Sequence, residues 1–348
     1  MKILVSAAKT GGHVFPAIAI GDELVKRGHQ VIFLGSGAEI EKNALKDKKF
    51  SYYQISMKGF RGKSILNKIS TLFLIPLSIL KTIQILRKER IDAMIGFGGF
   101  ITLPPAFAFL IMGKPIFTHE QNSVIGSANK VLSKFSKINF IAFPTISNIK
   151  NTFVSGNPIR TVFTSNTDNK IRAEQEIRIY VTGGSQGAEY INLNVPKCFK
   201  EFNKYLKIKH QCGKDKINQV KNLYSDIKVD AEVKEFYDNP QFIINWADFV
   251  ITRSGALSIS EISSMSRGML MIPLPSSIDN HQFFNAKYIE GIGMGIIHNE
   301  SDKFEILNKK LSDIIEQKTY NKWKDKNNLE HINAATKIVD EVTKYISK

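Results

Sequence analysis

Cysteine is scarce in this chain of 348 residues, which contains only Cys198 and Cys212. So few cysteines exclude a disulfide scaffold and favour a reducing compartment. No segment reaches the ~20 uninterrupted apolar residues that a membrane-spanning helix needs. The apolar start is too short for a secretory signal and runs into a glycine loop. Hydrophobic residues still make up 43% of the chain, so we expect packed cores, and the length favours two domains.

Acidic residues are scarce in the first half alone. Residues 1–162 contain 22 Lys and Arg against 8 Asp and Glu, whereas residues 163–348 contain 26 against 24. Nearly all of the net charge of +16 therefore belongs to the first half. This asymmetry indicates that the first half meets an anionic surface or partner. A lysine-rich genome composition would explain the lysines of both halves, but it would not explain the shortage of acids in one.

The dinucleotide fingerprint G-x-G-x-x-G is also missing. Ala7 and Ala8 stand where its first glycines would be, and Gly35-Ser36-Gly37 ends the second strand where an acid is expected. The loop after the first strand is therefore better interpreted as an anion-binding or sugar-binding loop.

A strand, a tight glycine turn and a helix follow one another in two places. In residues 177–188 an apolar run ends in Gly183-Gly184-Ser185-Gln186-Gly187, and helix-forming residues come next. Residues 3–26 have the same design around Thr10-Gly11-Gly12-His13. The first turn of such a helix presents free backbone N–H groups. The repetition predicts two α/β domains in tandem that hold a ligand between them.

Further strands are predicted at residues 91–96, 115–119, 205–211 and 249–252, with a last strand at 270–273. Polar side chains follow several of these strands, at the ends where open α/β sheets bind ligands. We place the N-terminal domain at 1–162 and the C-terminal domain at 163–333, with the polar tract 164–170 as linker. A final helix at 334–348 is expected to pack back on the N-terminal domain.

Residues 58–90 carry eight Lys or Arg and a single acid, Glu89. Apolar residues recur from Ile65 to Leu86 at steps of three and four, and Pro76 is predicted to divide them into two helices. An apolar stripe with cationic flanks is typical of a helix that lies on an anionic bilayer. A core helix with a solvated basic face has the same periodicity, so both interpretations stay open.

Five motifs occur in the order of one known family. They are Thr10-Gly11-Gly12-His13 with Pro16, His119-Glu120-Gln121-Asn122, Gly156-Asn157-Pro158 with Arg160, Gly183-Gly184-Ser185-Gln186-Gly187, and Arg253-Ser254-Gly255-Ala256-Leu257 with Glu261. Together they resemble the MurG family, whose members move N-acetylglucosamine from UDP-N-acetylglucosamine to undecaprenyl-diphosphate-linked muramyl peptide in peptidoglycan synthesis. The resemblance covers almost the whole chain.

The resemblance implies an α/β fold of two facing Rossmann-like domains, the GT-B type. It further implies an inverting hexosyltransferase that acts on the 4-hydroxyl of the lipid-linked acceptor without cofactor or metal. The position would be peripheral, on the cytoplasmic face of the cell membrane. The sequence departs from the family at the glycines before Thr10, which are Ala7, Ala8 and Lys9, and at Phe100, Ser258 and His281.

By this resemblance, the second domain would bind the donor, UDP-N-acetylglucosamine. Charge develops on the diphosphate in the transition state, and the chain lacks the Asp-x-Asp pair with which many such enzymes hold a metal. Backbone N–H groups at helix starts would replace it, from Ser185 and from the turn formed by Ala256, Leu257 and Ser258. Glu261 would bind the ribose hydroxyls, although it is equally a favourable charge near a helix start. Gln282 and Asn285 would bind the sugar hydroxyls.

By the same resemblance, the first domain would bind the lipid-linked acceptor. Thr10, Gly11, Gly12 and Asn122 resemble its binding residues. His13 is the candidate base for the acceptor proton, with Glu120 as its competitor. A histidine at a helix start is also commonly a capping or diphosphate-binding group. For the diphosphate leaving group of the donor, Arg160 would supply the positive charge through a planar fork that matches phosphate oxygens; the alternative is a salt bridge in the linker.

Two other functions remain open from the residues alone. A UDP-sugar epimerase of the same fold would use similar phosphate loops but would not need the basic helices. A polyanion-binding protein would explain the charge, yet the sequence lacks the basic and aromatic stripes of a nucleic-acid binder. We therefore expect no nucleic-acid partner.

Overall fold

The computed structural model describes residues 1–7, 10–55, 65–144, 149–163, 176–202, 205–326, 328 and 330–348, without the side chains of 65–73. The basic loop at 56–63, the predicted linker at 164–170, and Ala8 and Lys9 lie outside these residues. The chain forms two compact units, Met1–Arg160 with Glu330–Lys348, and Thr161–Leu329. The chain thus passes from the first unit to the second after residue 160, and it returns to the first unit after residue 329.

The first unit, within its described residues, is a seven-stranded parallel sheet with helices on both faces. Its strands are β1 (Lys2–Ser6), β2 (Gln30–Gly35), β3 (Ser51–Gln54), β4 (Ala93–Gly96), β5 (Ile116–Glu120), β6 (Asn139–Ile141) and β7 (Thr152–Val154). Its helices are α1 (Gly11–Lys26), α2 (Glu39–Leu45), α3 (Ile65–Glu89), α4 (Leu103–Ile111), α5 (Ser127–Leu132) and, after the second unit, α13 (Ala334–Ile346). The strand order is β3-β2-β1-β4-β5-β6-β7.

The central strand β1 explains the uninterrupted apolar run in the sequence. Successive side chains of a strand point to opposite faces. Ile3 and Val5 pack with α1 and α13, and Leu4 packs with α3 and α4 on the other face. Because helices cover both faces, the three central positions of this parallel strand are all buried and apolar.

The C-terminal helix α13 packs against α1. Ile338, Val339 and Val342 are fully buried in the core that α1 shares. Arg27, next to the end of α1, pairs with Asp340, and this pairing raises the pKa of the guanidinium. The chain thus returns to the first unit after completing the second.

The helix α3 runs from Ile65 to Glu89 through Pro76, so the prediction of two helices is wrong. Proline removes one backbone hydrogen bond and crowds the preceding turn. The buried residues Ile85 and Leu86, with Ile79 half-buried beside them, pack on the core under α4. This packing offsets the local cost and keeps one axis. Among the described helices, none is long and apolar enough to span a bilayer.

The second unit repeats the design with a six-stranded parallel sheet in its described residues. Its strands are β8 (Ile177–Thr182), β9 (Leu206–Gln211), β10 (Asp230–Lys234), β11 (Phe249–Thr252), β12 (Gly268–Met271) and β13 (Gly295–Ile297). Its helices are α6 (Glu189–Asn194), α7 (Ile217–Asp226), α8 (Pro240–Trp246), α9 (Ala256–Ser264), α10 (His281–Gly291), α11 (Phe304–Glu316) and α12 (Thr319–Lys324). The 3₁₀ helices are Phe100–Thr102 in the first unit, and Thr161–Phe163, Pro196–Phe202 and Ile278–Asn280 in the second.

The order of this sheet is β10-β9-β8-β11-β12-β13, which is the order of the first six strands of the other unit. The strand predicted at 270–273 begins two residues earlier, and it is not the last. β13 pairs beyond it at the sheet edge. Three residues that include Gly295 are too short for period-two alternation to predict them.

Candidate active site

Both sheets have one position where the strand order reverses. In the first unit it lies between β1 and β4, and in the second between β8 and β11. Open α/β sheets bind ligands outside the carboxyl ends of the strands at such a point. Most of the predicted site residues follow strands at these ends. The two groups are described in turn because they belong to separate units.

The first group begins at the amino end of α1. Thr10 has extended backbone angles just before the helix, and its Oγ1 lies 3.3 Å from Nδ1 of His13. Thr10 and Gly12 are exposed, while Gly11 and His13 are half-buried. The first turn of α1 is therefore open beside an imidazole that is accessible to a ligand.

A glycine turn after β4 lies against this imidazole. Gly98 and Gly99 have φ angles of 84° and 75°, which favour glycine. A Cβ on Gly99 would lie 3.9 Å from the ring of His13, and one on Gly98 would lie 3.3 Å from Nδ2 of Asn129. The turn thus lies between the first turn of α1 and α5.

Glu120 at the end of β5 is buried, and both of its oxygens accept hydrogen bonds. Oε1 accepts from the backbone N–H of Asn122 at 3.1 Å and from its side-chain amide at 3.3 Å. Oε2 accepts from the N–H of Gly126 at 3.0 Å and from Nδ2 of Asn129 at 2.9 Å. The carboxylate therefore holds the 120–129 loop and orients Asn122.

Two buried histidines form hydrogen bonds with this loop and with the neighbouring residues Gly156 and Asn157. His119 accepts from Nε2 of Gln121 at Nδ1 (3.0 Å) and donates from Nε2 to the carbonyl of Gly156 (3.1 Å). His331 accepts the N–H of Asn157 at Nδ1, at 2.8 Å. Burial lowers the pKa of His119 to about 4 and that of His331 to about 3. Both rings are therefore neutral near pH 7, as their hydrogen bonds require.

Arg160 lies at the end of the first unit, beside α1. The central carbon of its guanidinium is 5.0 Å from the ring centroid of Phe15, one turn into that helix. This stacking brings the cation to the helix that carries His13.

The second group begins after β8. Ser185 is exposed in the glycine turn, whereas α6 starts only at Glu189, so the prediction that Ser185 lies at a helix start is wrong. The turn is closed by a hydrogen bond from Gly187 to the carbonyl of Gly184, at 3.1 Å. Gly187 has φ of 69°, and a Cβ there would meet the carbonyl oxygen of Cys212 at 1.9 Å. Tight packing on the loop after β9 thus holds the turn in place.

The helix α9 follows β11 and begins at Ala256. No side chain caps its amino end, and its first intrahelical bond runs from Ile259 to the carbonyl of Gly255. The N–H groups of Ala256, Leu257 and Ser258 therefore belong to the uncapped first turn. Glu261 follows in the second turn and is 6% exposed.

The helix α10 carries the remaining two residues. Asn285 is fully buried, and its Nδ2 donates to the carbonyl of Ser254 at 3.1 Å. Oε1 of Gln282 accepts the N–H of Leu274 at 3.0 Å. Both side chains therefore tie α10 to the loops that follow β11 and β12.

Sequence reasoning missed several residues that shape these loops. Asn129 bonds Glu120, and Glu300 pairs across 47 positions of the chain with Arg253 of the fifth motif. Their spacing follows no period and matches no local motif, so no signal in one sequence marks them. In the part of the chain that the structure describes, no three His, Cys, Asp or Glu side chains cluster so as to hold a metal ion.

Comparison with known families gives two matches. The N-terminal domain of glycosyltransferase family 28 matches residues 3–141, and the C-terminal domain of that family matches residues 178–342. A Haemophilus influenzae protein named UDP-N-acetylglucosamine–N-acetylmuramyl-(pentapeptide) pyrophosphoryl-undecaprenol N-acetylglucosamine transferase is 33% identical over 348 residues. The match covers 99% of this chain and 98% of that protein.

Solved structures give a consistent result. The crystal structure of Acinetobacter baumannii MurG superimposes with a TM-score of 0.83 at 30% identity, covering 99% of both chains. A UDP-GlcNAc 2-epimerase from Neisseria meningitidis gives a TM-score of 0.71 at 13% identity, covering 99% of this chain and 100% of that one. The second likeness shows a shared fold alone. The fold is thus of the GT-B type, as predicted, and the chain belongs to the MurG family within glycosyltransferase family 28.

Proposed function

We propose that this chain transfers N-acetylglucosamine from UDP-N-acetylglucosamine to the 4-hydroxyl of undecaprenyl-diphosphate-linked N-acetylmuramyl peptide. The observation that carries this proposal is the 33% identity, over nearly full length, to a protein named for this transfer. The reaction converts lipid I to lipid II in peptidoglycan synthesis. An epimerase shares only the fold, at 13% identity, so the transferase is favoured.

The second unit is proposed to bind the donor. The exposed turn at Ser185 and the uncapped first turn at Ala256, Leu257 and Ser258 offer backbone N–H groups to a diphosphate. These groups are fixed before the reaction, so they stabilise the charge that develops on the leaving UDP without reorganisation. Glu261 then accepts hydrogen bonds from the ribose hydroxyls, and Gln282 and Asn285 contact the sugar.

The first unit is proposed to bind the acceptor and to supply the base. His13 is the better candidate, because its half-buried ring stands at an open helix start. Glu120 is fully engaged as an acceptor of four hydrogen bonds, so taking a proton would cost it the contacts that shape its loop. We therefore assign Glu120 to orienting Asn122, and His13 to receiving the proton of the acceptor hydroxyl.

Arg160 is proposed to bind a phosphate beside α1, where its guanidinium stacks on Phe15. With this cation and the backbone N–H groups, the diphosphate charge is met without a metal. The proposed reaction therefore needs neither a metal nor a cofactor. We expect its rate to be the same with and without a chelator.

The exposed face of α3 is proposed to bind the anionic cytoplasmic leaflet. Leu77 and Leu80 are 62% and 58% exposed, and Lys81, Arg87 and Lys88 are exposed with them. Ile111, at the end of the neighbouring α4, is 66% exposed. Apolar residues that enter the headgroup region and cations that bind anionic lipid complement each other. This contact would bring the first unit to a lipid-linked acceptor.

Incubation with radiolabelled UDP-N-acetylglucosamine and a lipid I analogue tests the proposed function. Label in the lipid fraction is the expected result, at equal rates with and without chelator. Isomerised UDP-sugar would identify an epimerase instead. Label that stays in unchanged donor would reject both enzymatic activities and leave a binding protein.

A further inference from the structure

The loop at residues 298–300, directly after β13, contacts two other loops of the second unit. His298 is fully buried, and its Nε2 lies 2.8 Å from the hydroxyl of Tyr190. Two residues later, Glu300 forms an ion pair with Nη2 of Arg253. None of these four side chains belongs to the proposed donor contacts, but Tyr190 follows the glycine turn in α6 and Arg253 comes three residues before the start of α9.

Arg253 extends the contact to the loop after β12. Its Nη1 donates to the carbonyls of Ile272 at 3.0 Å and Pro273 at 3.3 Å. The side chain is only 12% exposed, and its planar fork forms an ion pair with the Glu300 carboxylate while it donates to two carbonyls. The guanidinium therefore fixes the distance between the ends of β11, β12 and β13.

The residues proposed to contact the sugar are anchored to the same two segments. Gln282 accepts the N–H of Leu274, which follows Pro273 directly. Asn285 donates to the carbonyl of Ser254, which follows Arg253 directly. The Arg253 guanidinium therefore contacts one of the two segments that anchor α10, and its backbone lies next to the other.

Tyr190 makes the corresponding connection to the glycine turn. It stands in the first turn of α6, three residues after Gly187. Its ring also packs on His298, with the centroids 5.9 Å apart. The loop at 298–300 thus contacts α6, which follows the glycine turn, and Arg253, which bonds the loop before α10.

We propose that Glu300 and His298 are positioning residues for the donor, acting through Arg253 on the sugar-contacting side chains and through Tyr190 on the glycine turn. This inference rests on the proposed donor site in the second unit. It predicts that the two contacts have separable effects, because UDP lacks the sugar but retains the diphosphate.

The test compares Glu300→Gln and Tyr190→Phe with the parent chain. Calorimetry gives the affinity for UDP and for UDP-N-acetylglucosamine, and the transfer assay gives kcat and the donor KM. Glu300→Gln should weaken UDP-N-acetylglucosamine about tenfold and UDP less than twofold, since one charge-assisted contact is lost. Its KM should rise while kcat stays within about twofold, as expected for lost uniform binding. Tyr190→Phe should weaken both ligands by the same factor of about three.

Two further variants keep the result decisive. Glu305→Gln removes an exposed carboxylate of α11 and should behave as the parent. Glu300→Asp retains the charge on a shorter side chain, so its affinity for UDP-N-acetylglucosamine should lie between those of the parent and Glu300→Gln. If Glu300→Gln does not fold, Glu300→Asp takes its place in the test. A parent that binds neither nucleotide would reject the proposed function itself. The positioning role would be overturned if the parent binds both nucleotides and a Glu300 variant has the same two affinities as the parent. It would also be overturned if that variant loses affinity for both nucleotides by the same factor.

Discussion

Six strands of each unit have the same order, but the surfaces of the two units differ. The first carries nearly all of the positive charge and an exposed apolar face on α3. The second is nearly neutral and presents uncapped backbone N–H groups after β8 and β11. One architecture therefore carries two different sets of loops and surface charges, so the two units can be proposed to bind different ligands.

The loops differ in how they are held. In the first unit, buried neutral histidines and the Glu120 carboxylate fix the loops through side-chain hydrogen bonds. In the second, a glycine packed on a carbonyl and the Arg253–Glu300 pair do so. A proposed division into a lipid-facing acceptor unit and a soluble-donor unit follows from these differences, and the variants below test it one unit at a time.

The largest effect is expected for His13→Ala in the first unit. Removing a general base should lower kcat by about 10²- to 10⁴-fold. The affinity for UDP should stay that of the parent, because His13 is not among the proposed nucleotide contacts. Transfer kinetics and UDP calorimetry measure the two quantities. A kcat close to the parent's would assign the base elsewhere, and a matching loss in Glu120→Gln without a change in acceptor KM would return that role to Glu120.

The next effect concerns the surface of the first unit. Replacing Lys81, Arg87 and Lys88 with glutamine should weaken sedimentation with anionic vesicles by about 100-fold, since each cation contributes about 1 kcal/mol near such a surface. Salt should weaken the parent's binding without abolishing it, because the apolar contact is not screened.

A matched control changes the same number of charges on the second unit. Lys221, Lys303 and Lys322 are exposed there, and their replacement with glutamine should leave vesicle binding intact. Equal losses in the two triple variants would mean that only net charge matters. No loss in either would mean that the basic face of α3 is merely solvated.

A smaller effect is expected for Glu261→Ala in the second unit. Loss of charge-assisted hydrogen bonds to the ribose should weaken UDP binding by about 1.5–3 kcal/mol. The variant should lose less affinity for 2′-deoxy-UDP than for UDP, because one of the two ribose hydroxyls is already missing from 2′-deoxy-UDP. The same loss for both nucleotides, measured by calorimetry, would place the carboxylate away from that hydroxyl, and unchanged UDP affinity would leave it a purely structural role.

Acid should destabilise the first unit through its buried histidines. The pKa of His331 is about 3 in the folded state, against about 6.5 for a free side chain. Below pH 6.5 the unfolded chain therefore binds the extra proton, and the free energy of unfolding falls as the pH drops. From pH 6.5 to pH 5 the loss is about 2 kcal/mol for this group. Denaturant titrations should show a shallower pH dependence for His331→Gln, whereas an identical dependence would mean that the ring is not buried as described.

Local patterns predicted the elements whose signal is local. The glycine turns after β1 and β8 were predicted because an apolar run, glycines and helix formers stand next to each other. Pro76 misled the prediction, because packing on α4 outweighs the local preference. Asn129 and Glu300 could not be found, since their roles arise only when distant segments meet in the fold.

The product of the reaction gives the most direct test of the central claim, that the chain transfers N-acetylglucosamine to the 4-hydroxyl of the lipid-linked acceptor in a single displacement. The parent chain is supplied with UDP-N-acetylglucosamine and a lipid I analogue, and the product is analysed by NMR and mass spectrometry. We predict one added N-acetylglucosamine on the 4-hydroxyl, in the β configuration that a single displacement on the α-linked donor gives, with one UDP released per sugar. An α linkage, or UDP-sugar isomerised without transfer, would contradict the account.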